Sequence, residues 1–344
     1  MLKDIQFSLP LWPGLSPDEI ENDVFPFLDE CSHVISDIYF TSRMAPFNQD
    51  AMGGFIVAEE RDVVTNNALF VADKYNLPLS ATFNNININP SYATYQTFVK
   101  NFAQMYEQGV DVVTIPHTSW LRFGLKREFP DLFVKNTILH GVKTAAEVAR
   151  LFEEGFDYVN LDRVLMRDED ALKAVNEAKT VMEKKLGKKL YLSLLYNEMC
   201  EGYCPVQKDH FAYNMHRAQE TPAYFKSEMA GISSCIIREH TSPLYILKAA
   251  SIPSYYSELE RLSKYVDVFK MHGRESKHVF YNSMDIIRSF VRREPIQDPY
   301  RRVLSNLSAK ERGAFFNTIK NCKFDCWKCS VCETLAQRIE KETK

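Results

Sequence analysis

The stretch DYVNLDRVLMRDEDALKAVNEAKTVMEKKLGKKLYLSLLYNEMC, residues 157–200, decides the fold. An apolar run at 157–161 precedes a segment, 168–186, that opens on aspartate and glutamate and closes on lysine. That charge order matches the dipole of a helix. A second apolar run, 189–195, follows directly. Strand, helix, strand is the unit from which parallel sheets are built.

The alternation extends in both directions. Further candidate strands are 5–10, 35–40, 79–84, 110–115, 134–139 and 267–271, with two weaker runs at 234–238 and 245–250. Helix signals lie between them. Ser16-Pro17-Asp18-Glu19 and Thr144-Ala145-Ala146-Glu147 have the form of capping boxes, the first with proline at the opening helical position. Tyr95, Phe98, Val99, Phe102, Met105 and Tyr106 make one helical stripe, which Gly109 ends. Strand then helix, about eight times, predicts an α/β fold: a (β/α)8 TIM-like barrel over residues 1–294. An open doubly wound sheet is the alternative. Residues 295–344 fall outside the alternation. Ser308-Ala309-Lys310-Glu311 caps a helix carrying Phe315, Phe316 and Ile319, a cysteine cluster follows, and a polar helix ends the chain. We read this as a cysteine-rich C-terminal helical extension packing on the barrel.

Apolar residues are 45% of the 344 and charged residues 25%, an ordinary globular composition. A net charge of −3 gives no electrostatic reason to expect nucleic acid or a membrane surface as partner. No window approaches the apolar length of a membrane span, and Met1-Leu2-Lys3-Asp4-Ile5 does not open a secretory leader. The expected compartment is the reducing cytoplasm, where clustered cysteines read as metal ligands or redox groups rather than disulfides.

Six of the eight cysteines are clustered: Cys200 and Cys204, then Cys322, Cys326, Cys329 and Cys332. Cys31 and Cys235 are isolated, and Cys235 reads as a small buried hydrophobe. Thiolates at these spacings can converge on one centre. Zinc would take four of them as a structural staple, and an iron–sulfur cluster would take four and add redox chemistry. Spacing alone leaves the two level for the tail, and the second cysteine pair at the rim of the barrel favours iron–sulfur. Cys322-x3-Cys326-x2-Cys329 also has the spacing of radical S-adenosylmethionine enzymes, but it follows the last strand, whereas theirs follows the first.

In such barrels the working residues sit at the carboxyl ends of strands. There the sequence places Asn84 and Asn85, His117, His140, Asn160, Asp162 and Arg163, then Asn197 and Glu198, then Lys270, His272 and Arg274. Each has a plain structural reading, as a loop former, an ion pair or a hydrogen-bonded histidine. Together they suit a small anionic substrate, because carboxylates take directed donors. Asn84, Arg163, Lys270 and Arg274 are the binding candidates, and His140 and His272 the candidates for proton transfer.

Several short motifs, in order over residues 1–290, resemble the collagenase-like peptidase superfamily. Ser36-Asp37-Ile38-Tyr39-Phe40 is similar to its second strand and Ala81-Thr82-Phe83-Asn84 to its third. Asn160-Leu161-Asp162-Arg163 is similar to a strand end that often carries arginine then glutamate. Leu194-Leu195-Tyr196-Asn197-Glu198-Met199-Cys200 stands where the superfamily has its cysteine-bearing strand. Phe269-Lys270-Met271-His272-Gly273-Arg274 resembles its lysine-isoleucine-glutamate-glycine-arginine signature, with His272 in the glutamate position. The nearest branch is one with a cysteine-rich C-terminal tail. The resemblance implies a barrel, a [4Fe–4S] cluster held by four cysteines, and oxygen-independent hydroxylation with prephenate as co-substrate. Superfamily members hydroxylate the ubiquinone ring or pyrimidines in RNA, and some act as pairs of related chains. A true peptidase is not expected, since no serine, cysteine or metalloprotease constellation is present. Here the cysteines after Cys200 depart from the superfamily spacing, so the tail would complete the ligand set. Two other readings remain: an accessory subunit with structural zinc in its tail, which pairs with a related chain, and an RNA-modifying hydroxylase, which the near-neutral charge disfavours.

Overall fold

Three serine or threonine residues open helices by closing a reciprocal ring with a glutamate three positions on. Ser16 with Glu19, Thr144 with Glu147 and Ser308 with Glu311 each form the full capping box. These are among the helix starts that set the rhythm of the chain in the computed structural model, which describes residues 5–47, 61–217, 242–274 and 276–342. Between the helices run β1 (Gln6–Pro10), β2 (Ile35–Thr41), β3 (Leu79–Thr82), β4 (Val112–Ile115), β5 (Phe133–Asn136), β6 (Tyr158–Asn160), β7 (Tyr191–Leu195) and β8 (Val268–Lys270). All pair in parallel, and the sheet closes in sequence order, β1 through β8 and back to β1. The expected (β/α)8 barrel is the observed fold, and the open sheet is excluded by the β1–β8 pairing.

The outer faces of the strands supply the main core. Phe7, Ile38, Ala81, Val113, Val134, Val159, Leu192 and Phe269 are buried there beneath the helices. On helix Tyr92–Glu107 the predicted stripe buries Tyr95, Phe98, Phe102 and Met105. Phe98 packs 4.4 Å from Trp120, centroid to centroid, and stacks on Phe102 at 5.2 Å. Each such ring contributes about 1.5–3 kcal/mol through removal from water.

At the amino end of the barrel, aspartates just before three strands accept an amide from the first or second residue of a neighbour. Asp111 takes Leu79 N at 3.1 Å, Asp157 takes Val134 N at 2.8 Å and Asp267 takes Leu192 N at 2.8 Å. These bonds give partners to buried amides that would otherwise be orphaned at the start of the sheet.

The run 245–250 is not a strand. Pro243–Lys248 is a helix, with Ser242 as its cap and Pro243 at its first position, and this start signal overrides the apolar composition. The run 234–238 and Cys235 lie outside the described residues. Cys31 is fully buried in the main core.

After helix Lys277–Arg292 the tail forms helices Pro299–Leu304, Ala309–Ile319 and Val331–Glu342. Their apolar faces, with Tyr300, Leu304, Phe315, Ile319, Ala336 and Ile339, enclose Tyr245, Ile246 and Leu247 in a second small core. Helix 243–248 is thus the anchor that holds the tail near the carboxyl rim. No helix among the described residues is long and apolar enough to cross a membrane.

Candidate metal and anion site at the carboxyl rim

The rim has three stations. On the β8–β2 side, Lys270 ends β8 with its ammonium 4.5 Å from the centre of the Tyr39 ring. Arg274 lies 5.2 Å from the same ring and donates to Thr41 Oγ1 at 2.8 Å. Tyr39 itself donates to the Met271 carbonyl. Two cations lie against one aromatic ring here, and attraction to the ring holds both in place. His272 is fixed through its backbone, whose N–H donates to Asn197 Oδ1 at 2.7 Å and whose carbonyl accepts from Ser283.

On the β3–β5 side, Asn84 and Asn85 are buried at the end of β3. His117 bonds the Ile88 carbonyl through Nε2 at 2.6 Å, and His140 bonds the Pro116 carbonyl through Nε2 at 2.9 Å. A carbonyl only accepts, so Nε2 of His140 carries the proton and Nδ1 is its basic nitrogen. Burial is the main reason its pKa falls below the usual histidine range, and His117 acts in the same direction.

The third station holds the cysteines. A single turn of 3-10 helix, Arg163–Arg167, follows β6 and is capped by Asp162. Both of its arginines are 3% exposed. Arg163 pairs with Glu198 and lies 5.5 Å from the Phe211 ring, next to Cys200. The Cys200 thiol is pushed up to about 12 by burial first and by Glu198 second, with Arg163 opposing. At the other end of the turn, Arg167 faces Cys322 Sγ at 4.0 Å. Its remaining partners are the Leu247 and Ala249 carbonyls, at 2.7 and 2.8 Å, and the Tyr300 hydroxyl at 3.0 Å. The Cys332 thiol, 3.6 Å from the Leu247 carbonyl, is pushed up to about 11 by burial, with Arg167 opposing.

The tail reaches this turn by its backbone. Lys323 N–H donates to the Arg167 carbonyl at 3.0 Å, and Glu169 N–H donates to the Lys320 carbonyl at 3.0 Å. Lys323 and Phe324 both take positive φ, 51° and 58°, which reverses the chain between Cys322 and Cys326. The buried Phe324 ring then lies 4.7 Å from the Arg167 guanidinium and edge-on to Tyr203 at 6.0 Å. The Cys200 loop comes to meet it: Ala250 N–H donates to the Cys200 carbonyl at 2.6 Å, and Tyr245 donates to the Met199 carbonyl.

The tail therefore folds back onto the Asn197–Pro205 loop, with Phe324 at the seam. Of the six clustered cysteines, Cys200 and Cys204 belong to the loop segment and Cys322, Cys326, Cys329 and Cys332 to the tail segment. Among the described residues no three Cys, His, Asp or Glu side chains are gathered as a metal shell. Arg167 is the residue that sequence reasoning missed. It is a buried cation with no carboxylate partner among the described residues.

Gly202 is where the seam is tightest, since a methyl group built there overlaps the Phe324 ring. Gly202→Ala should push that ring aside and loosen the tail, at a cost of about 1–3 kcal/mol. Limited proteolysis of the tail checks this, with faster cleavage in the variant as the expected result.

The barrel has a solved counterpart. The U32 peptidase Mk0906 superposes with a TM-score of 0.50 at 14% identity, covering 78% of this chain and 94% of that one. A 2,3-dimethylmalate lyase of the PEP mutase/isocitrate lyase superfamily follows at TM-score 0.36 and 12% identity, covering 68% and 95%. A deoxyribose phosphate aldolase from Aeropyrum pernix gives TM-score 0.31 and 12% identity, covering 84% and 89%. The first of these likenesses is one of fold. No protein-family model matches the sequence, and no curated protein does.

Proposed function

We propose that the protein is an iron–sulfur enzyme that hydroxylates a small anionic substrate at the carboxyl rim without molecular oxygen. The observation that carries the metal reading is Arg167. A buried guanidinium without a carboxylate is costly unless another anion faces it. Burial keeps the free Cys332 thiol neutral, but thiolates bound to a metal are negatively charged. Cys322 and Cys332 beside Arg167 thus support the reading of an anionic metal–thiolate centre. Cys200 and Cys204 with two of the four tail cysteines would hold a [4Fe–4S] cluster, and all four tail cysteines would suit zinc. When bound, an iron–sulfur cluster supplies one-electron chemistry.

The remaining roles belong to side chains. Lys270 and Arg274, both against the Tyr39 ring, hold a carboxylate. His140, with its proton on Nε2, accepts one at Nδ1. Asn84 offers an amide to the bound molecule. Arg163, neutralised by Glu198, positions the Cys200 loop rather than the substrate. The fold shared with a U32 peptidase and the superfamily motifs of the rim support a hydroxylase of that superfamily, for which prephenate is the implied oxygen donor. The four cysteines of the tail segment, with Arg167 a buried cation beside Cys322 and Cys332, favour a second reading: structural zinc in an accessory chain that works with a related partner.

Anaerobic purification with iron, sulfide and zinc analysis separates the two. Stoichiometric iron and sulfide with a brown colour are expected, whereas one zinc without iron supports the accessory chain. Replacing Cys200 and Cys204 together by alanine should abolish the brown absorbance. Absorbance that persists unchanged would place the cluster on the tail alone.

A further inference from the structure

Barrels of this kind are ordinarily filled by branched aliphatic side chains. This one is lined with polar groups. Tyr39 and Thr41 of β2 stand in register with Ser80 and Thr82 of β3, Thr82 with Thr114 of β4, and Thr114 with Lys135 of β5. Lys135 pairs with Asp37 of β2 at 2.6 Å. β2 and β5 are not neighbours, so that pair crosses the interior and this face of every strand is the lumen. Ser8 of β1 is in register with both Asp37 and Lys270.

Four lumen hydroxyls, those of Ser8, Ser80, Thr82 and Thr114, are buried and meet no hydrogen-bond partner among the described residues. Buried hydroxyls are satisfied in native proteins, by water where the protein offers nothing. At the amino end the lumen meets a cavity of about 780 Å³ whose lining includes Asp37, Lys135 and Tyr158. Space lies at one end, polar groups line the wall, and Lys270 stands at the other end. We propose that the lumen binds a chain of water molecules joining this cavity to Lys270, so that water and protons reach the rim from the side opposite its mouth. The water path depends on the barrel alone, and it stands or falls separately from the iron–sulfur reading.

Thr82→Val and Thr114→Val keep the shape and delete the hydroxyl. If water bonds these groups, each valine lowers the thermal midpoint by about 2 °C. A dry lumen reverses the sign, because valine then relieves an orphaned group, so a rise or no change overturns the proposal. High-resolution diffraction from the unaltered protein is the second test. Ordered waters on these hydroxyls, continuous from the cavity to Lys270, support it, and a lumen without them overturns it.

Discussion

Arg167→Met should reduce metal occupancy of the cysteine site by about 100-fold or more in affinity. In the loaded protein the methionine leaves a metal–thiolate anion facing buried carbonyls with no cation beside it. Removing one partner of a buried ion pair costs about 3–5 kcal/mol. At 1.4 kcal/mol per tenfold, that is a loss of about two to three and a half orders of magnitude in affinity. The metal-free protein should respond differently. There Arg167 is a buried charge with no carboxylate beside it among the described residues, and methionine removes that burden while keeping an apolar side chain against Phe324. Urea unfolding with and without chelator therefore gives a signed contrast. The unaltered protein should be clearly stabilised by metal, and the variant should show little dependence on it. Equal metal content and equal chelator response in both proteins would remove Arg167 as counter-charge and with it the main support for an anionic centre. Arg167→Lys keeps the charge but loses the fork that reaches two carbonyls and a hydroxyl at once, so it should recover metal binding only in part.

The fold was readable because each level of the sequence repeats one message. The strands carry apolar residues on the faces that the helices cover. Glutamate three residues beyond Ser16, Thr144 and Ser308 marked helix starts that the structure places at those positions. The rim was readable for the same reason, since strand ends name their own residues. What stayed hidden is long-range. Nothing local in Val164-Leu165-Met166-Arg167-Asp168 distinguishes Arg167 from a surface arginine, because its burial comes from Tyr300, Leu247 and a tail more than 150 positions away in sequence. Glu198 stood beside Arg163 only once β6 and β7 were paired. The run 245–250 reads as a weak strand because its apolar composition masks the Ser242-Pro243 start signal of the helix Pro243–Lys248. The polar lumen did leave a trace. Asp37, Tyr39 and Thr41 alternate with Ile38 and Phe40, and Ser80 and Thr82 alternate with Ala81, a period of two in strands expected to be apolar throughout.

Lys135→Met should be the most damaging single change to the barrel itself. The Lys135 and Asp37 side chains are only 4% and 5% exposed, and their bond spans the lumen. Lys135 also lies 4.4 Å from the Tyr158 ring, so the ammonium is held from two directions. Methionine fills much of the same volume but leaves the Asp37 carboxylate uncompensated, with Ser36 Oγ at 2.8 Å as its remaining donor among the described residues. The expected loss is about 3–5 kcal/mol, read as a fall in the urea midpoint at unchanged slope. Asp37→Leu combined with Lys135→Met deletes both charges and should recover most of that loss, since an apolar pair of similar volume commonly equals a buried ion pair. The double-mutant cycle isolates the coupling, which should exceed about 1 kcal/mol for groups in direct contact. If Lys135→Met alone costs less than about 1 kcal/mol, the lysine is not needed to neutralise Asp37. Water in the lumen would then solvate the carboxylate by itself, and the ion pair would be a consequence of a wet interior rather than its organising contact.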